Sequence, residues 1–359
     1  MNDVEELKRF VGAHARAQGI APAVEREVLA RIAHDGTGAG SWTAEWSRAG
    51  EEFERAGDLL SAARMFNMAR FPYVDAEARQ DAYERSVHAF DEWRLKEGAP
   101  LRPLEISLPG GHVKCWTTDG DGPFVVMMGG IVSNKEQWAL TLLRLRRMGV
   151  RGLVTELPGI GSNTLPYTSA SWRMFSDLLD GAAEWTDTGR VYAMAMSFSG
   201  NLALRCALAD PRIRAVITVG APVRAVFADP EWQRTLPRVT VETIAHLARV
   251  SPDRVWEHLS DLALEASELS ELEIPVSYVS SSRDEIIPAS DVELLERNVR
   301  RLRVLTNDDV HGSPGHFDVT GPWLIRELFR AHGSGLPKRA VLSAALPVIR
   351  ARRLVGGAR

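Results

Sequence analysis

From about residue 101 onward, short apolar segments alternate with amphipathic helical ones, and this alternation constrains the fold more than any other feature of the chain. Successive parallel strands need a crossover of a dozen or more residues, usually a helix, so the pattern predicts a mostly parallel sheet covered on both faces. Residues 104–108 and 113–117 read as an opening pair of strands joined at Gly110-Gly111. FVVMM (124–128), GLVTEL (152–157), RVYAMAM (190–196), AVITVG, PVSYVS (275–280) and RVLT (303–306) read as the strands that follow. Helical segments fall between them, and PWLIRELFRAH reads as the closing helix.

The first hundred residues have a different character. VEELKRFVGAHARAQG places Val4, Leu7, Phe10 and Val11 on one face, and the run from Ser41 to Asp58 aligns Trp42, Trp46, Ala49 and Phe53. APAVEREVLARIAHDG has Pro22 near its start and Gly36 after its end. Two more helices follow before Pro and Gly interrupt the pattern in GAPLRPLE (98–105). The expected organisation is an N-terminal helical domain over 1–100 and an α/β core over 101–333. A helical insertion at about 221–273 breaks the strand–helix rhythm. Insertions after a sheet strand tend to cover the C-terminal strand ends, where ligands bind in this architecture, so it reads as part of a cap. Residues 334–359 form a basic tail, read as a docked helix with a frayed end.

The strongest chemical signal is RVYAMAMSFSGNLALR, where an apolar strand runs through Ser197 directly into a helix. A strand–turn–helix of this kind holds a nucleophilic serine on a sharp turn above the sheet. The usual Gly-x-Ser-x-Gly is here Ala195-Met196-Ser197-Phe198-Ser199, with small residues in both glycine positions. An acid and then a histidine should follow along the chain. Asp284 leaves the strand PVSYVS in the loop SSRDEIIP, with Glu285 as the alternative acid. His311 leaves RVLT after a short loop, whereas His316 lies ten residues past Thr306 and would need the loop to fold back. His311 is therefore the expected base and His316 the alternative. Two backbone N–H groups are needed to hold a developing oxyanion. Phe198 at the helix start is one, and Ile131 or Gly130 in the Gly129-Gly130 loop after FVVMM is the other.

These residues resemble the FrsA-like esterase and hydrolase family of the α/β-hydrolase superfamily, over about Trp42 to Phe329. In the helical part the resemblance is carried by Trp42, Trp46, Ala69-Arg70-Phe71-Pro72, Ala82-Tyr83, Ser86 and Phe90. In the core it is carried by Gly129-Gly130, Lys135-Glu136, Ser197, Asp284 and Asp309-Val310-His311, the last resembling the family's Gly-Asp-His. Ala195 and Ser199 depart from the family's glycine-rich turn. The resemblance implies an α/β-hydrolase fold with a site between core and helical cap, and often a homodimer. It also implies esters, or aryl ketones whose C–C bond is hydrolysed, as substrates.

The expectation is a serine hydrolase acting on an ester or activated C–C bond of a mid-sized, partly aromatic or polyketide-like molecule. The alternative is a lyase or cyclase with His311 as general base. The net charge of −4 and pI near 6.2 give no reason to expect nucleic acid or an anionic membrane as partner. The nine histidines show no ligand spacing and there is no phosphate or dinucleotide loop, so neither metal nor cofactor is expected. Two cysteines without ligand-like spacing and a charged start without an apolar run are read as those of a soluble cytoplasmic protein.

Overall fold

The computed structural model describes residues 2–356. Eight strands form one sheet in the order β1-β2-β4-β3-β5-β6-β7-β8. They are β1 (Arg102–Leu108), β2 (Gly111–Thr118), β3 (Phe124–Met128), β4 (Arg151–Thr155), β5 (Val191–Ala195), β6 (Ile213–Val219), β7 (Val276–Ser281) and β8 (Leu302–Asn307). β2 pairs antiparallel with β1 and with β4, and every other pairing is parallel. The chain passes from β3 to β4 on one side and then returns to place β5 on the other. This reversal leaves a crevice at the C-terminal ends of β3 and β5, the position where open α/β sheets bind ligands.

Five helices precede the sheet: α1 (Val4–Ala17), α2 (Pro22–Arg31), α3 (Trp42–Arg55), α4 (Leu59–Ala69) and α5 (Glu77–Lys96). α6 (Lys135–Arg147), α7 (Met174–Ala182) and α8 (Phe198–Ala209) cross between strands. The two-residue period of a strand sends alternate side chains to opposite layers. Phe124, Val126 and Met128 of β3 join Phe175, Leu178 and Leu202 on one face. Val125 and Met127 join Leu142 and Leu145 of α6 on the other, together with Phe66 and Phe90 of the N-terminal helices. A separate apolar cluster around Trp42, Trp46 and Leu7 holds the N-terminal helices to one another.

Between β6 and β7 lie α9 (Ala225–Ala228), α10 (Pro230–Gln233), α11 (Arg238–Ala248), α12 (Val255–Leu259) and α13 (Ala266–Ser270). They reach the loops beyond the strand ends: Tyr167 N donates to Leu247 O at 2.9 Å and Trp232 Nε1 to Ile286 O at 2.8 Å. They also meet the N-terminal helices, because Val239 enters the Trp42–Trp46 cluster and its N–H donates to Glu6 at 3.1 Å. Tyr73 and His246 stack with ring centres 4.5 Å apart. α14 (Ala289–Asn298) links β7 to β8, and α15 (Phe317–His332) and α16 (Leu336–Gly356) end the chain. α16 contacts α15, with Leu346 buried in the α6 layer. The end of the basic tail, residues 357–359, lies outside the described residues.

Several boundaries differ from the sequence reading, most of the strands by one or two residues at an end. β4 stops at Thr155 instead of 157, since Glu156 turns into a buried ion cluster. The closing helix starts at Phe317, with Pro322 inside it. α2 ends at Arg31, after which His34 bridges to Ser41. No helix among the described residues is long and apolar enough to cross a membrane.

The N-terminal helices are joined to the core through a buried polar hub at Asn67. Its Oδ1 accepts from Arg70 Nε at 2.8 Å and from Asn134 Nδ2 at 3.0 Å, and its Nδ2 donates to Gln18 at 2.6 Å. Leucine at this position would strand all three partners in a buried site. Asn67→Leu is expected to lower the unfolding free energy by about 2–3 kcal/mol in urea titration despite the added apolar surface.

Candidate active site

β5 ends at Ala195 and α8 begins at Phe198, leaving Met196 and Ser197 to make the whole turn. Ser197 takes φ 56° and ψ −131°, a conformation that a residue with a side chain rarely adopts. Three backbone hydrogen bonds hold it there: Ser197 N to Val219 O at 2.8 Å, Met196 N to Met128 O at 2.9 Å, and Gly200 N to Ser197 O at 2.8 Å. Ala195 and Ser199 are both fully buried. The Ser199 hydroxyl turns into the backbone, donating to Met128 O and Met196 O, so a serine is accommodated in the second small position. The strict steric demand falls one residue later: a Cβ on Gly200 would sit 2.2 Å from Thr218 Oγ1.

Ser197 Oγ lies 2.8 Å from His311 Nε2, and His311 Nδ1 lies 3.0 Å from both carboxylate oxygens of Asp284. Asp284 Oδ1 also accepts from the N–H groups of Ile286 and Ile287, which fixes the carboxylate's orientation. Glu285 faces elsewhere and accepts from the backbone N–H of His311 at 3.1 Å. His316 pairs with Asp309 at 2.8 Å, so of the two histidines it is His311 that reaches Ser197. The loop carrying His311 is pinned by Asn307, whose amide donates to Ser313 and Thr320, and by the bond between Ser281 and Ser313. Burial pushes the His311 imidazole down, but the charge and hydrogen bond of Asp284, assisted by Glu285, outweigh it and raise it above its ordinary value. Gly220, with φ 60°, packs against this pair: a Cβ there would lie 2.9 Å from His311 Cε1. Sequence reasoning passed over Gly220, although its place at the end of AVITVG was a usable signal.

Across from Ser197 runs the loop after β3. A Cβ on Gly130 would come within 2.9 Å of the Ser197 Cβ, so only glycine allows this approach. The N–H groups of Gly130, Ile131 and Phe198 have no protein acceptor among the described residues, and that of Phe198 is one of the orphan donors of a helix start. This leaves donors beside the Ser197 hydroxyl for a negative oxygen. The loop is held from two sides. Arg70, which caps the end of α4, donates to Val132 O, while Lys135 at the start of α6 is buried between Glu136 (2.9 Å) and Glu156 (3.4 Å). Burial alone would lower Lys135, but the two carboxylates raise it, so it stays charged. Neither Arg70 nor this cluster was assigned a task from sequence.

The Ser197–His311 pair opens into a cavity of about 780 Å³, walled by α1, α4, α5, α6, α11 and α15. Its lining is largely apolar, with Phe10, Phe71, Ile131, Trp138, Met196 and Leu324 among the contributors. His14 of α1 also faces it and is pushed down to about 4 by burial, then by the charges of Arg70 and His311, so it is neutral at ordinary pH. Among the described residues, no group of three or more His, Cys, Asp or Glu side chains is arranged to hold a metal ion.

If charge from Asp284 raises His311 against its burial, removing that charge should reverse the sign. The His311 ring should titrate above pH 6.5 by NMR in the native protein and below it in Asp284→Asn. A midpoint that stays put would mean that Asp284 does not set the histidine's protonation.

Residues 16–259 match the family described as FrsA-like esterase. Among curated proteins, the chain is 24% identical to Esterase FrsA of Vibrio vulnificus over 87% of its own length and 86% of that protein's. It is 28% identical to Esterase FrsA of Salmonella paratyphi B over 57% of its own length. Among solved structures, AbyA5 superposes with a TM-score of 0.92 at 48% identity, covering 97% of this chain and 100% of that one. The 2,6-dihydroxy-pseudo-oxynicotine hydrolase superposes at 0.71 with 20% identity, covering 87% of this chain and 94% of that one, a likeness of fold. The chain is therefore a member of the FrsA-like esterase family, a hydrolase built on the α/β-hydrolase fold.

Proposed function

We propose that the protein is a serine hydrolase in which Ser197 is the nucleophile, His311 the general base and Asp284 the residue that orients it. The single observation that carries this reading is the 2.8 Å contact of Ser197 Oγ with His311 Nε2, backed by Asp284 at 3.0 Å. With Nδ1–H donated to Asp284, Nε2 is free to accept the serine proton as Oγ attacks a carbonyl carbon. The carbonyl oxygen becomes an alkoxide, and the N–H groups of Phe198 and of Ile131 or Gly130 stabilise it, each worth a factor of about 10²–10³. Collapse expels the leaving group, which takes the proton from His311. Water then repeats the cycle and releases the acid. For an ester the leaving group is an alkoxide. For an activated ketone it is a stabilised carbanion, and the C–C bond breaks instead. The esterase relatives favour the ester. The size and apolar lining of the cavity favour a mid-sized, partly aromatic or polyketide-like substrate.

A fluorophosphonate should add one label to the native protein by intact mass and none to Ser197→Ala. Against a chromogenic ester, Ser197→Ala and His311→Ala should each lose about 10⁶-fold in kcat. His316→Ala should keep most activity, since its ring is committed to Asp309. The acid limb of kcat/KM should rise through a midpoint above pH 6.5, because the base must be neutral and its pKa is raised. Activity retained in Ser197→Ala and lost in His311→Ala would replace this reading with elimination or cyclisation driven by the histidine alone.

A further inference from the structure

The walls of the cavity are apolar but its charged groups are unbalanced. Arg9 and Arg16 of α1, Arg64 of α4 and Arg144 of α6 line it without an ion pair among the described residues. The acids that line it are already engaged: Glu136 with Lys135 and Trp116, and Glu285 with the His311 N–H. Arg283, also on the wall, is held by Asp308. The chain as a whole carries a net charge of −4, so this excess of positive charge is local.

Arg64 and Arg144 stand out by position. The cavity face of α4 is Leu60, Ala63, Arg64 and Asn67; on α6, beyond Glu136 and Trp138 in its first turn, it is Gln137, Leu140, Thr141 and Arg144. Both sets follow the i, i+3, i+4, i+7 spacing of a single helix stripe. Gln137 lies beside the loop that faces Ser197, since its side chain accepts from Asn134 N. Arg144 comes two turns later, roughly 10 Å further along the helix axis at 1.5 Å per residue. Arg64 is half-buried, its guanidinium lying against Gly19 just beyond the end of α1, yet it donates to none of the carbonyls there. A helix-capping role would use those carbonyls.

We propose that Arg64 and Arg144 form an anion subsite at the end of the cavity remote from Ser197, taking a carboxylate that the substrate carries on the far side of its apolar body. The subsite deepens the hydrolase reading and rests on it for the word substrate, though not for the binding itself. Burial lowers Arg64; Asp58, which caps α4, raises it and Arg144 lowers it, so the two positive charges repel each other and an anion between them would relieve that repulsion. A carboxylate bridging two guanidiniums gains charge-assisted hydrogen bonds in a partly dry setting.

The test uses the full chain and two probes: an aryl monoester of a long α,ω-dicarboxylic acid, and the same molecule with its distal acid capped as the methyl amide. The native protein should prefer the free acid in kcat/KM by about 10–100-fold, the equivalent of one charge-assisted contact, chiefly through KM. The preference should shrink with added salt. Arg64→Gln and Arg144→Gln should each collapse the ratio between the two probes. Arg144 is exposed, so Arg144→Glu should fold and turn the ratio in favour of the capped probe. A ratio near one in the native protein, or one that these variants leave unchanged, overturns the subsite. Calorimetric binding of the long-chain dicarboxylic acid to Ser197→Ala separates the two readings. Charge-dependent binding without turnover of either ester would sink the hydrolase and keep the subsite. Turnover of both esters with no such binding would do the reverse.

Discussion

The structure depends on one strained turn. A positive φ at Ser197 costs on the order of 1–3 kcal/mol and persists only where the surroundings over-determine it. Here they do. Met128 O and Val219 O, from the strands on either side of β5, accept from the two residues of the turn. α8 starts immediately afterwards and packs through Phe198 and Leu202 into the core. A serine hydroxyl is thereby lifted off the sheet at the point where the strand order reverses, the one place where loops from β3, β6, β7 and β8 can all converge on it. Gly130 and Gly220 have no side chain because that convergence leaves no room for one.

The N-terminal helices contribute to this site as well as covering it. Asn67 of α4 and Arg70 at its end bond to Asn134 and to Val132 O, so the loop that faces Ser197 is gripped by a segment that precedes the sheet in sequence. The buried Lys135–Glu136–Glu156 cluster grips the same loop from the core side. Burying three charges is a poor route to stability, because desolvation offsets most of the attraction. What it provides is a fixed geometry, since none of the three can move without leaving another unpaired. The site is thus preorganised by polar contacts that an apolar interface could not have specified.

Family and fold leave the reacting bond open. Attack by Ser197 on an ester or on an activated ketone would use the same donors and the same proton path, and fold alone does not choose. The choice rests with the cavity, whose walls come from six helices drawn from three separate parts of the chain. Its lining is largely apolar, and Arg9, Arg16, Arg64 and Arg144 add positive charge that no ion pair among the described residues neutralises.

How much of this was legible in the sequence follows from how local each signal is. Strand–helix alternation is a short-range pattern, so the order of strands from Arg102 to Asn307 could be read directly, with errors at ends such as Thr155 and Phe317 and with α14 left unnamed. Ser197, Asp284 and His311 were nameable because each sits just past a strand whose end the sequence marks, and the parallel sheet brings such ends together. What lay beyond reach depended on which surfaces meet. Arg70 looks like an ordinary helix-terminal arginine, and Gly220 like any glycine after a strand. Arg64 and Arg144, 80 residues apart in the chain, look like solvated surface charges. Only the folded chain brings α1, α4 and α6 around one cavity, because long-range packing sets those neighbours and no local periodicity encodes them.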